Sequence, residues 1–414
     1  MTLASHFNGW EMTDLLMTRR PTLMFYCQHS VGMGHFVRSL ALARGLAKEF
    51  RVVLLNGGRL PKETVVTDEI EIINLPPLGL NEHNELVSHD RRRTTARAQE
   101  LRKQILLNTF AELQPDVLFI ELFPFGRKKF AEELLPLLNA ARNTNESQPL
   151  VVCSLRDILV GRDDQAKHDD RAATIANQYF DLIMVHSDPD FARLDESFKP
   201  NIKLTTPVKY TGFAASLSDP ATKKSGSTRS IVVSAGGGMV GEQLLNTAIK
   251  AHELLVREGP VETEIITGLF LPQDARRSLR SLVHGKQGLK LTRFVSDLSA
   301  HMRNADVSIS QGGYNTTLDI LRANVPALVV PFGSGHEDEQ LKRARRLESL
   351  GALRVLEEKD MQPERLAAEI RKLFKFEARP PKLDLNGVCN STLIVLHAVR
   401  ERTKVSNTSQ QRKG

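Results

Sequence analysis

The sequence predicts an α/β protein of two doubly wound domains, each a parallel sheet covered by helices on both faces. Short apolar strands alternate with amphipathic helices along most of the chain, the pattern of sheets buried on both sides. The rhythm breaks once, in a polar stretch at 214–230, and then restarts. A chain of 414 residues also exceeds one hydrophobic core, given about 150 residues per domain.

Residues 1–20 read as a flexible extension. They carry acidic residues and neither a basic start nor a long apolar run, so no signal peptide is expected, and Met17 lies nearer the start of folded structure. The first domain, 21–213, opens with the strand 23–27 (LMFYC), a glycine turn (QHSVGMGH) and a helix at 36–50 with Phe36, Leu40, Ala43 and Ala47 on one face. Strands follow at 52–56 and 70–75, a helix at 94–113, a strand at 116–122, a helix at 128–142, and strands at 150–155 and 181–187. The linker, 214–230, contains Pro and Gly and has no apolar period.

The second domain, 231–380, repeats the pattern with strands at 231–235, 263–268 and 290–294 and helices at 244–256, 273–285 and 298–305. Its most regular unit is 306–332, where the strand DVSIS, the turn Gly312–Gly313, a helix carrying Leu318, Ile320 and Leu321, and the run PALVV make one βαβ unit. Pairs at 336–356 and a helix at 362–374 follow. A helix at 381–402 and a disordered polar tail at 403–414 close the chain.

Hydrophobic content of 41% and charged content of 25% are those of a soluble globular protein, and no run approaches the roughly 18 apolar residues of a membrane span. Cys27, Cys153 and Cys389 form no CxxC pair and no disulfide framework, which fits a reducing cytoplasm. A net charge of +7 permits nucleic acid, anionic lipid or a polyanionic substrate without choosing among them. The densest basic cluster, His89 to Gln104, reads either as the solvated face of a helix or as a docking patch for an anionic membrane, where each cation is worth about 1 kcal/mol.

Three glycine turns stand at strand ends: Gly32 with Gly34, Gly236 with Gly237 and Gly238, and Gly312 with Gly313. Each places free amides and a helix N-terminus together, a setting suited to a diphosphate, although tight turns also use glycine for backbone reasons alone. His35 follows Gly34 and reads either as a residue hydrogen-bonding its turn or as a general base. Arg156 and Asp157 end one strand and His186 ends the next, on the same rim; a local Arg156–Asp157 salt bridge is the plainer reading of that pair. Asp188 and Asp190 flank Pro189 as a turn, and the His168–Asp170 run has no further clustered ligands, so no metal is assigned.

The run RFVSDLSAHMRNADVSISQGGYNTTLDILRANVPALVVPF, with HEDEQLKRARRLESLGA after it, resembles the donor-binding domain of GT-B glycosyltransferases of the family 28 (MurG-like) type. GMGHFVRSLALARGLA resembles the glycine loop and His of that family, and equally of related nucleotide-sugar hydrolases. The resemblance implies two Rossmann-like domains facing across a cleft, with the final helix crossing back to the first. It puts Phe294 and Val295 beside the base, Gly312, Gly313, Asn315 and Thr316 at the phosphates, and Asp319 on the ribose hydroxyls where the family commonly has Glu. It puts Gln340 toward the sugar, Gly236, Gly237 and Gly238 on the other side of the phosphates, and His35 near the acceptor; Gly32, Gly34, Arg156 and His186, by their positions at the strand ends, are expected on the same acceptor side.

The implied function is metal-independent, inverting transfer from a nucleotide sugar, a UDP-sugar such as UDP-N-acetylglucosamine, to an acceptor hydroxyl deprotonated by His35, or by Asp157 if His35 only positions. The expected partners are the donor and a lipid-linked or glycan acceptor, with peripheral contact to the inner membrane face, no cofactor and no nucleic acid. Hydrolysis or epimerisation of a nucleotide sugar is the alternative on the same fold. A non-catalytic nucleotide or polyanion binder is a third reading.

Overall fold

The computed structural model describes residues 19–29, 34–60, 68–81, 83–144, 147–161, 164–215, 228–333, 338–379 and 381–411, with side chains described up to 404. In the first domain the strands are β1 Thr22–Cys27, β2 Arg51–Asn56, β3 Ile70–Asn74, β4 Leu78–Leu80, β5 Leu86–Ser88, β6 Val117–Glu121, β7 Leu150–Arg156, β8 Leu182–His186 and β9 Val208–Tyr210. The helices between them are α1 Gly34–Leu46, α2 Thr95–Leu113, α3 Ala131–Arg142, α4 Gln165–Tyr179 and α5 Leu194–Ser197. The second domain has strands β10 Arg229–Ser234, β11 Val261–Ile266, β12 Leu289–Thr292, β13 Val307–Gln311, β14 Ala327–Val330 and β15 Arg354–Val355. Its helices are α6 Glu242–Val256, α7 Gln273–Val283, α8 Leu298–Arg303, α9 Tyr314–Ala323, α10 Glu339–Ser349 and α11 Pro363–Leu373, and α12 Gly387–Gln411 ends the fold.

Seven strands in the order β3-β2-β1-β6-β7-β8-β9 form the first sheet and six in the order β12-β11-β10-β13-β14-β15 form the second, every pairing parallel. Chain order reverses between β1 and β6 in one sheet and between β10 and β13 in the other. Such switch points open a crevice at the carboxyl ends of the strands. Two of the three glycine turns follow β10 and β13; the glycine-containing segment after β1 lies partly, at 30–33, outside the described residues.

The fully buried β1, TLMFYC, is a central strand because its residues are apolar on both faces. Helix α2 starts where the Thr94 side chain accepts the Arg97 amide, as a capping residue does. Helix α12 returns to the first domain, where Val388, Val395 and Val399 share a core with Phe36, Leu40 and Ala43 of α1. Gly45 permits that approach, since a Cβ there would lie 2.3 Å from Val388 Cγ1. A second apolar cluster joins the domains, packing Ile158, Phe191 and Phe213 of the first against Tyr314, Leu318 and Leu321 of the second.

Three features depart from expectation or go beyond it. Helix α4 has little apolar contrast, its buried face being mostly Ala172, Ala173 and Ala176, so no period marks it in the sequence. The antiparallel β4–β5 pair and the short β9 are likewise added. The tail at 403–414, expected to be disordered, continues as helix through Gln411; no Gly or Pro interrupts 403–411, and a helix already nucleated extends at little cost. Residues 1–18, most of the extension, and 216–227, most of the linker, lie outside the described residues. Among the described residues no helix is long and apolar enough to cross a membrane.

Candidate functional site

The switch point of the first sheet brings together His35, one residue into α1, and Glu121, the last residue of β6. His35 Nδ1 lies 2.6 Å from Glu121 Oε1, and Glu121 is wholly buried. Burial by itself raises the Glu121 carboxyl, but His35, Arg38 and Arg127 together bring it down to about 2. Burial lowers the His35 imidazole to about 3; Glu121 opposes this, and Arg127 and Arg38 add to it. The carboxylate is therefore an acceptor only, so Nδ1–H donates to it and Nε2 keeps its lone pair. A neutral histidine held in that tautomer is built to take a proton at Nε2.

The second domain supplies two glycine turns on adjacent strands. Gly238, at φ +91, fits only without a side chain, because a Cβ would lie 2.2 Å from the Thr267 carbonyl oxygen. A Cβ on Gly236 would lie 3.6 Å from Thr316 Oγ1, so the turn after β10 faces the first turn of α9. Gly313 caps α9 without a side-chain bond and has open space where a Cβ would stand. The two loops thus converge on one helix N-terminus, where amides and helix dipole favour an anion.

Asp319 lies in the second turn of α9 and makes no hydrogen bond or ion pair among the described residues. Burial, and then the Asp297 carboxylate, raise it to about 7, against the pull of Arg322. Asp297 itself caps α8 through the Ala300 amide. The segment holding Phe294 and Val295 therefore runs beside Asp319. Phe294 is 45% exposed, whereas Val295 packs into the interdomain cluster.

Several expected site residues stand elsewhere. Asp157 is fully buried and accepts from Arg343 through both oxygens, Nε–Oδ2 at 2.6 Å and Nη2–Oδ1 at 2.8 Å. Burial raises its carboxyl, but the guanidinium overrides this and holds it below the usual range. It is an interdomain ion pair and not a base. Arg156 does not pair with Asp157; it donates to Glu339 Oε1 at 3.0 Å. His186 is wholly buried between Ser154 Oγ, 2.8 Å from Nε2, and Thr211 Oγ1, 2.9 Å from Nδ1, which makes it a core residue and not an acceptor contact. Gln340 stands beside the Gly312 turn, where its side-chain oxygen accepts the Phe332 amide at 3.2 Å.

Gly34 and Asn315 meet across the cleft, Asn315 Nδ2 donating to the Gly34 carbonyl at 2.9 Å. Gly32 lies outside the described residues. The basic cluster also divides: Arg102 is fully buried, donating to Glu133 at 2.6 and 2.8 Å, to Gln28 Oε1 at 2.7 Å and to the Gly57 and Pro76 carbonyls. Arg91, Arg92, Arg93 and Arg97 remain exposed. Sequence reasoning missed Glu121, Arg38, Tyr314 and Arg343. A glutamate closing the apolar strand DVLFIEL was the visible signal for the first.

Residues 231–386 match the family model for the glycosyltransferase family 28 C-terminal domain. Two curated relatives are UDP-N-acetylglucosamine–N-acetylmuramyl-(pentapeptide) pyrophosphoryl-undecaprenol N-acetylglucosamine transferases. That of Alkalilimnicola ehrlichii is 25% identical over 170 residues, 41% of this chain and 46% of the relative. That of Methylobacterium radiotolerans is 33% identical over 104 residues, 25% of this chain and 27% of the relative. The chain thus matches less than half the length of either. Among solved structures, the calicheamicin glycosyltransferase CalG4 superposes with a TM-score of 0.57 at 15% identity, covering 94% of this chain and 98% of that one. The Acinetobacter baumannii MurG superposes with a TM-score of 0.51 at 16% identity, covering 93% and 100%. The protein therefore has the GT-B fold, and within it residues 231–386 match the glycosyltransferase family 28 C-terminal domain.

Proposed function

We propose that the protein is an inverting glycosyltransferase that moves a sugar from a UDP-sugar, such as UDP-N-acetylglucosamine, to an acceptor hydroxyl without a metal ion. The observation that carries this is the neutral His35, pinned through Nδ1 by Glu121, standing directly across from the α9 N-terminus of a family 28 domain. The acceptor hydroxyl gives its proton to His35 Nε2 as its oxygen attacks the anomeric carbon. The bond from that carbon to the diphosphate breaks, and the diphosphate leaves with the electron pair. Amides of the Gly236–Gly238 and Gly312–Gly313 turns and the α9 dipole stabilise the departing charge in place of a metal. Asp319 accepts the two ribose hydroxyls, and Phe294 and Val295 flank the base.

The names of the relatives support a lipid-linked acceptor, and the exposed Arg91, Arg92, Arg93 and Arg97 support peripheral contact with an anionic membrane face. The test is UDP release from UDP-N-acetylglucosamine in chelator, with and without an extract of lipid-linked saccharides. Release that waits for the extract and is lost in His35→Ala supports transfer. Release at the same rate without any acceptor assigns the site to a hydrolase or epimerase.

A further inference from the structure

Arg38 lies one turn after His35 and is almost wholly buried, yet its hydrogen bonds do not account for its position. Its Nη2 bonds Glu121 Oε1 and lies 3.3 Å from His35 Nδ1, while its Nε is buried with no partner. The guanidinium rests instead on the ring of Tyr314, 5.3 Å from the centroid, a cation over an aromatic face. Tyr314 belongs to the other domain. It is the first residue of α9, directly after Gly313, and its hydroxyl is fastened to the first domain: it donates to the His186 carbonyl at 2.8 Å and accepts the Ala214 amide at 3.1 Å. The next residue, Asn315, holds the carbonyl of Gly34, immediately before His35. The first two residues of the donor-side helix therefore bracket the histidine, one at each end of its turn.

We infer that Tyr314 is a positioning residue through which the second domain holds the base: its ring seats Arg38 against Glu121, and Glu121 holds the His35 ring. This rests on the reading of His35 as base. Parting the domains withdraws Tyr314 from Arg38 and Asn315 from Gly34 together. Glu121 then loses a partner and water reaches the imidazole. The base is complete only when the helix that cradles the diphosphate is docked, which ties proton removal to the presence of the donor domain and restricts attack by water.

Among the described residues, the charged groups that act on His35 are Glu121 of β6, Arg127 beyond it and Arg38 of α1, while from α9 Tyr314 meets Arg38 and Asn315 meets the Gly34 carbonyl. Loss of the Tyr314 ring frees Arg38 and admits water, and both changes raise the histidine toward its ordinary value of about 6.5. The test is an NMR titration of the full chain with labelled histidine, His35 being assigned through His35→Gln. Wild type and Tyr314→Phe, which keeps the ring, are expected to show His35 neutral from about pH 5 to about pH 8. Tyr314→Leu, or Tyr314→Met should the leucine variant not fold, is expected to titrate inside that range and to lose at least about tenfold in kcat with donor KM little changed.

A flat titration in the folded ring-less variant overturns the inference, as does an equal shift in Tyr314→Phe. Calorimetry with UDP on the same samples keeps the two readings apart. Absence of UDP binding to wild type removes the transferase reading, whereas the titration decides the role of Tyr314 without any substrate.

Discussion

Asp157, just past the end of β7, and Arg343, in the middle of α10, form a bidentate ion pair that is fully buried between the two domains. It has company on the same helix face. Glu339, four residues before Arg343, takes Arg156, and Arg346, three residues after it, bonds Glu196 at 2.6 Å and the Phe191 carbonyl. Arg343 Nη1 also donates to the Gly312 carbonyl at 3.0 Å, so the interdomain pair reaches the Gly312–Gly313 turn. One helix thus fastens the domains and braces the loop expected to hold the donor.

Removing one partner of that pair leaves an uncompensated buried charge. Arg343→Met or Asp157→Leu alone is expected to cost about 3–5 kcal/mol, and the double substitution much less than the sum, because it removes both charges. Denaturant unfolding of the three variants checks this. Additive losses would show that the pair is not coupled.

Glu121→Gln keeps the size of the side chain but lets His35 take either tautomer and removes the charge that meets the arriving proton. The expected result is a kcat lower by about 10²- to 10⁴-fold with donor affinity nearly unchanged. Steady-state kinetics against a UDP titration separates the two quantities. A variant of full activity would leave His35 without an orienting partner.

Asp319 gives two measurable consequences. Asp319→Ala is expected to weaken UDP binding roughly ten- to a hundredfold, about 1.5–3 kcal/mol, as for a hydrogen bond to a charged group. The carboxyl, raised to about 7 in the folded chain, binds more protons there than in the unfolded chain between about pH 4 and pH 7. Stability therefore falls as pH rises through that window. Asp319→Asn is expected to gain roughly 1 kcal/mol or more at pH 8 relative to pH 4.5, measured by paired melts.

His35 and His186 work in the opposite direction. Burial brings both to about 3; Glu121 partly opposes this for His35, and Arg38 adds to it for His186. Their stabilising contribution is whole above about pH 6.5 and is lost as pH falls toward the folded value. Wild type is expected to lose stability from pH 7 to pH 4.5, and His186→Gln, which no longer titrates, to lose less. Identical slopes would place the acid sensitivity elsewhere.

The strands were legible because buried parallel strands are continuous apolar runs: β1, β2, β6, β7, β8 and β13 all fall within a residue or two of the expected bounds. The glycine turns were legible for the same reason, standing where those runs stop. What the sequence hid were pairings between distant residues. Asp157 and His186 occupy the rim positions expected of site residues, but their roles are set by Arg343 and by Ser154 with Thr211, whose approach depends on domain docking and strand order. Arg102 reads as one cation among many until Glu133, from another helix, is found against it. Tyr314 has no signal of its own in the 306–332 unit, because the contacts of its hydroxyl lie on the other domain.

The most direct test of the central claim is calorimetric titration of the purified full-length protein with UDP, GDP and dTDP in the presence of a chelator, repeated on Asp319→Ala. Selective binding of UDP without metal, weakened in the variant, is the predicted result. Binding of none of the three nucleotides by the folded wild type would contradict the donor site and, with it, the assignment of this protein as a nucleotide-sugar transferase.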